Sequence, residues 1–272
     1  MRYAVDNPVM RAELRHQRQV IQSSRSGWFW VVLAVVMLVP AFLTALALIF
    51  ATLSGIDLEP FFAAPPLSVL AQVGLVSLTI MQLALYIVVT LVTLALAASS
   101  IRREQRAGTW DSLLLTNMSA RQIVQGKWWA TLRALWGDHV LVLVLRLGFV
   151  AYLHLLSANP AVSQPVRLLI TLAFITVITI IDSALTAILG ILPPVSGSHS
   201  VVMPLAMSVR LVVSVALVIV TFAVGLFVFE WTPTLLSAAL LGIALYALAL
   251  WLMLHFAEWV AVRNLVSPEA VV

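Results

Sequence analysis

The stretch Ser100-Ile-Arg-Arg-Glu-Gln-Arg-Ala-Gly-Thr-Trp-Asp-Ser-Leu-Leu-Leu-Thr-Asn-Met-Ser-Ala-Arg-Gln-Ile-Val-Gln-Gly-Lys127 is the longest polar island in a chain that is otherwise almost wholly apolar. Its cations are Arg102, Arg103, Arg106, Arg121 and Lys127. A loop this basic between apolar spans is retained on the cytoplasmic side of a membrane. It also has helix punctuation. Thr109 is a good N-cap, and Asp111 follows in the first turn, where the helix dipole favours an acid. Leu113, Leu114 and Leu115 give that short helix an apolar face, and Asn117-Met118 ends it. Ser119 to Gln122 is Ser-x-x-Gln, a capping box directly before Ile123 and Val124. The stretch therefore predicts a short helix across the cytoplasmic face, a break, and a second helix running back into the membrane. The plainer alternative is a solvated loop whose charges only fix topology.

Composition sets the frame around this loop. Of 272 residues, 62% are hydrophobic and only 10% are charged, and mean hydropathy is +1.09. A soluble core does not need that much apolar residue, so the chain reads as an all-α integral membrane protein. The net charge of +4 is no nucleic-acid signal, because the basic residues gather beside apolar runs. Cysteine is absent, which excludes disulfides and thiol catalysis.

Residues 1–27 form a polar, basic lead carrying Arg2, Arg11, Arg15, Arg18 and Arg25. Val9, Met10, Leu14, Val20 and Ile21 give it a modest apolar face, which fits an amphipathic helix lying in the cytoplasmic interface. A six-span transmembrane domain is expected over residues 28–272, with spans at about 28–50, 67–99, 128–153, 166–192, 205–229 and 233–257. The loop of residues 100–127 lies between spans two and three. Trp28, Trp30, Trp128, Trp129 and Trp259 fall near inner ends and Trp231 near an outer end, as an aromatic belt. The lysine and arginine asymmetry puts both termini in the cytoplasm and makes the chain a multi-pass protein of the cell membrane.

Five charges fall inside the spans. Counted from the inner ends at 1.5 Å per residue, Arg133 and Arg210 come roughly 9 Å deep and Asp138 and Asp182 roughly 15 Å deep. A lone charge at a helix centre costs roughly 2.5–3.5 kcal/mol, so these four are expected to pair or to line a cavity. Arg146 lies nearer the outer face and is expected to snorkel outward. His139, beside Asp138, reads as a packed polar residue rather than a proton relay.

Enzymatic motifs are missing. No Gly-x-x-x-x-Gly-Lys-Ser/Thr is present: Trp128 follows Lys127, and Arg121 stands where the first glycine would be. His255-Phe-Ala-Glu258 lacks a second histidine at metal spacing, so no metal site is expected. The chain is expected to be no enzyme, to bind no cofactor itself and to bind no nucleic acid.

Glu104-Gln-Arg-Ala-Gly-Thr-Trp-Asp-Ser-Leu-Leu114, followed by Ser119-Ala-Arg-Gln-Ile-Val-Gln-Gly-Lys127, resembles the signature between the second and third spans of type-2 ATP-binding-cassette permeases, the membrane subunits of export-type ABC transporters. Asn7-Pro-Val-Met-Arg-Ala-Glu-Leu-Arg15 is similar to that family's opening. Two positions depart from the pattern: Arg106 replaces its second acid and Asn117 its usual proline. The close match covers about a tenth of the chain. The resemblance implies that Glu104, Gly108, Thr109, Trp110, Asp111, Leu113 and Leu114 couple the chain to a cytoplasmic ATPase subunit, where ATP and Mg would bind, through a docked coupling helix over residues 108–116. It implies a dimer with a second permease, identical or related. It also makes Gln82, on span two, a candidate for the transport path. Read without it, the intramembrane carboxylates Asp138 and Asp182 leave an alternative open, an ion-coupled secondary transporter.

Overall fold

The computed structural model describes residues 7–24, 28–56, 67–108, 118–156, 164–195, 204, 207–213, 215–216, 219 and 233–266. All the regular structure among them is helical. The helices are α1 (Pro8–Ser24), α2 (Trp28–Ser54), α3 (Leu67–Ala107), α4 (Ala120–Ala134), α5 (Trp136–Leu156), α6 (Gln164–Val195) and α7 (Pro233–Val266). Residues 207–213 are helical as well.

Local chemistry fixes the helix ends. Asn7 caps α1 by accepting from Val9 N at 3.0 Å, and Pro8 takes the first helical position, where no N–H is needed. Gly55 closes α2 at φ +66°, with Ile56 N donating back to Ala51 O at 2.9 Å in a Schellman arrangement. Gly108, at φ +64°, stops α3 in the same left-handed conformation. The expected capping box is present: Gln122 N donates to Ser119 Oγ at 3.3 Å, and Ser119 N donates to Gln122 Oε1 at 2.9 Å.

Five described helices are long and apolar enough to cross a membrane, over Val35–Ser54, Ser68–Glu104, Trp136–Leu153, Leu169–Leu192 and Gly242–Arg263. The expected fifth span, at 205–229, lies mostly outside the described residues. The expected third span, 128–153, is two helices rather than one. Leu135 leaves helical geometry at φ −105° and ψ 15°, dividing α4 from α5. The backbone stays bonded across the break, Leu135 N to Thr131 O at 3.2 Å and His139 N to Leu135 O at 3.0 Å. Gly137, a poor helix former, stands just beyond it. The membrane-length run therefore starts at Trp136, and α4 precedes it.

Helix α6 is the hub. It packs on α3, α4, α5 and α7, and 61% of its apolar window is buried, against 18–33% for the other four. One core joins Leu94, Ala97 and Ile101 of α3 to Leu185, Ile188 and Leu192 of α6, with Ala257 and Ala261 of α7. Gly190 permits the α3–α6 contact, since a Cβ there would stand 2.7 Å from Ala97 Cβ and 2.8 Å from Leu94 O. The second core joins Ala41, Ala45 and Leu48 of α2 to Leu78 of α3 and Leu145 of α5. There Gly148 meets the backbone of Ala45. Small residues at such crossings let helices approach closely where hydrocarbon supplies no hydrophobic drive. The outer faces of α2 and α3 present Val36, Leu43, Phe50, Leu70, Leu83 and Val88, the surface a bilayer would cover.

Helix α1 differs from expectation in the face it buries. Met10 is buried, but beside it lie Glu13 and Gln17 rather than Val20, which is exposed. That polar face packs on α4.

Candidate functional site

Glu13, Glu104 and Lys127 come from three separate helices and meet in one polar cluster at the α1–α3–α4 junction. Lys127 is wholly buried in α4. Its Nζ donates to Ser100 O at 2.9 Å, to Glu13 Oε2 at 3.2 Å and to Glu104 Oε1 at 3.4 Å, which uses all three of its protons. Arg103 donates to the same carboxylates, at 2.7 Å to Glu13 Oε2 and 3.4 Å to Glu104 Oε1. Two cations thus face two anions, and the buried charges cancel. The other oxygen of Glu13 accepts from Gln17 Nε2 at 3.0 Å, and the same nitrogen lies 3.2 Å from Thr131 Oγ1.

A clasp at the start of α1 completes the junction. Asn7 Nδ2 donates to Gln122 O at 2.6 Å, lying directly over Gly126. A Cβ on residue 126 would come within 2.8 Å of that nitrogen, so the lack of a side chain is what admits the asparagine. Helix α4 is tied onward as well. Trp128 Nε1 donates to Ala184 O of α6 at 2.9 Å, and Glu258 of α7 accepts from Gln125 at 2.8 Å and pairs with Arg121 at 3.3 Å.

A second cluster lies within the bundle. Arg210 forks onto Asp182, with NH1 to Oδ1 at 2.6 Å and NH2 to Oδ2 at 3.0 Å, and both side chains are buried. This two-toothed geometry is the strong form of the pair. Arg210 NH2 also donates to Tyr86 Oη at 2.8 Å. Over the ring of Tyr86, 4.8 Å from its centroid, lies the guanidinium of Arg146, whose NH1 donates to Thr179 Oγ1 at 2.9 Å. His139 Nε2 is 3.5 Å from Thr93 Oγ1. Tyr86, His139, Thr179, Asp182 and Ser183 line a cavity of about 10 Å³, the space one water needs. The cluster neutralises Asp182 in apolar surroundings and leaves a small polar void beside it.

Of the residues singled out from sequence, Asp182 and Arg210 are brought together. Arg133 is not with them: it is exposed in the last turn of α4, ahead of the membrane-length run of α5. Asp138 is half-buried in the first turn of α5. Arg146, expected to reach outward, is instead buried against Tyr86 and Thr179, because both partners offer it compensation inside the bundle. Gln82 is half-buried on α3, one turn from Tyr86. Glu104 joins the α1–α4 junction, and Gly108 closes α3. Thr109, Trp110, Asp111, Leu113 and Leu114 lie outside the described residues. Among the described residues no three His, Cys, Asp or Glu side chains converge as metal ligands.

Sequence reasoning missed Glu13, Gln17, Tyr86 and Thr179 as members of these clusters. Glu13 and Gln17 had a signal: with Met10 they share one helical face, and two polar residues on an inward face require buried partners. Tyr86 and Thr179 had none, being ordinary residues of apolar spans. Comparison with family models, with curated proteins and with solved structures finds no match to this chain.

Proposed function

We propose that this chain is the permease subunit of an ABC exporter, driven by ATP hydrolysed on a separate cytoplasmic subunit and working as a dimer with itself or a related permease. One observation carries the reading. The three stretches that resemble the family, residues 7–15, 104–114 and 119–127, contribute Asn7 and Glu13, Glu104, and Gly126 and Lys127 to one buried junction. Motifs far apart in sequence thus serve a single mechanical purpose.

The purpose follows from the connections. The loop from Thr109 to Asn117 leaves from the end of α3 and returns at the cap of α4. Both ends are fastened to the ion network through Glu104 and Lys127. A force applied to that loop passes to α1 through Glu13, to α6 through Trp128 and to α7 through Glu258. An ATPase closing against the loop would therefore move several spans together. Substrate would pass along a path to which Tyr86 and Gln82 on α3 are adjacent.

A second reading, the ion-coupled transporter, draws on the polar void beside Asp182 and His139. One experiment separates the two. The protein is purified with its copurifying partners and reconstituted in proteoliposomes, and Gly108→Val is compared with the parent. Gly108 has open space around it but a φ of +64°, so valine strains only the entry to the loop. The permease reading expects a copurifying nucleotide-binding subunit and a Gly108→Val protein that folds normally but uncouples hydrolysis from transport. Transport driven by an imposed proton gradient, with no ATPase present, would instead establish the second reading.

A further inference from the structure

We propose that the inner end of α3 binds a phosphate group, supplied by the headgroup of an anionic lipid, between Arg102 and Arg106. Ser99, Arg102, Arg103, Arg106 and Ala107 line a groove of about 510 Å³ on one face of α3. Three guanidinium groups on one helical face repel unless anions lie between them. Arg103 has its anions, Glu13 and Glu104. Arg102 and Arg106 have no acidic partner among the described residues, and Arg102 is half-buried. The carboxylates at hand are already balanced by Lys127 and Arg103. The groove therefore keeps two cations that the chain's described residues do not neutralise.

Position selects the lipid. Thr93 of α3 is level with His139 of α5, as their 3.5 Å contact shows, and His139 is three residues inside the start of the membrane-length run at Trp136. Arg102 is nine residues further along α3, about 13.5 Å at the helical rise, which puts it about 9 Å outside that start. The headgroup layer on each side of the hydrocarbon is roughly 5–8 Å thick, within reach of an arginine side chain. The anion abundant at that depth is lipid phosphate, and the planar guanidinium fork matches its paired oxygens. A soluble phosphate offers the same oxygens, so the test must separate the two sources. The inference needs the helices to lie in a bilayer but does not depend on ATP or transport.

The full chain, purified in detergent, is titrated with mixed micelles of phosphatidylglycerol or phosphatidylcholine, and separately with inorganic phosphate. Retained lipid is read by native mass spectrometry and stabilisation by the unfolding midpoint. The parent should retain phosphatidylglycerol over phosphatidylcholine. Arg102→Gln with Arg106→Gln should bind it roughly 30-fold more weakly, at about fivefold for each surface arginine. Arg133→Gln, which removes an exposed arginine elsewhere, should bind as the parent does. Arg102→Lys with Arg106→Lys keeps the charge and loses the fork, so it should fall between; it also serves if the glutamine pair folds poorly. Stabilisation by phosphate alone, with no preference between the lipids, would overturn the lipid assignment. Equal phosphatidylglycerol retention by the parent and both double variants would overturn the site. Neither result bears on the permease reading, because no hydrolysis or transport is measured.

Discussion

Lys127 and Asp182 each hold a buried charge whose removal leaves an opposite charge stranded. Replacing Lys127 by methionine leaves Arg103 as the cation that Glu13 and Glu104 share among the described residues, with the Glu13 side chain 2% exposed. The variant should lose about 3–5 kcal/mol, read from unfolding in detergent, and adding Glu13→Gln should recover part of that loss. The same cycle applies to Asp182→Asn and Arg210→Met: each alone should cost more than the two together. Asp182→Asn with Arg133→Gln should instead be additive, since Arg133 is exposed and apart from the pair. Residue counting from sequence put Asp182 and Arg210 at comparable depth, and to that extent the pair was legible. It put Arg133 at the same depth as Arg210, because nothing in Leu135 announces a break. Depth is one coordinate of a helical residue; direction around the axis is set by packing and has no local signature.

Helix α1 shows the same limit at the scale of an element. Its start at Asn7-Pro8 was not marked, but its existence and its amphipathic character were readable from local spacing. Its buried face was not, because Glu13 and Gln17 are inward only by virtue of partners on other helices: Lys127 lies 114 residues from Glu13 and Thr131 lies 114 from Gln17. The capping box of α4, by contrast, is complete within four residues and was read directly. The Asn7–Gly126 clasp gives this element a specific weakness. In Gly126→Ala the new Cβ must push Asn7 off Gln122 O. Losing one such hydrogen bond, worth about 1 kcal/mol, should speed amide exchange in α1 about fivefold. Exchange in α6, which does not touch the clasp, should be unchanged; uniform acceleration throughout the bundle would show that α1 is not an independent unit.

For the whole molecule, the open quantity is topology. Five described helices are long enough to cross a bilayer, and a sixth crossing at 205–229 is needed to bring both termini to one side. Single cysteines at Asp57 and Asn117 test this in a chain with no native cysteine. An impermeant thiol reagent applied outside cells should label the first and spare the second, and the opposite pattern would invert the orientation. The network at the α1–α3–α4 junction also bears on how the protein is made. Glu13 emerges from the ribosome 90 residues before Arg103 and 114 before Lys127. At roughly 5–20 residues per second, the wait is on the order of 6–23 s. Helix α1 is therefore synthesised well before the partners of Glu13 exist, and it can be seated only once α3 and α4 are in place. A chain in which either is misplaced would leave α1 undocked, with Glu13 and Gln17 deprived of the partners that bury them.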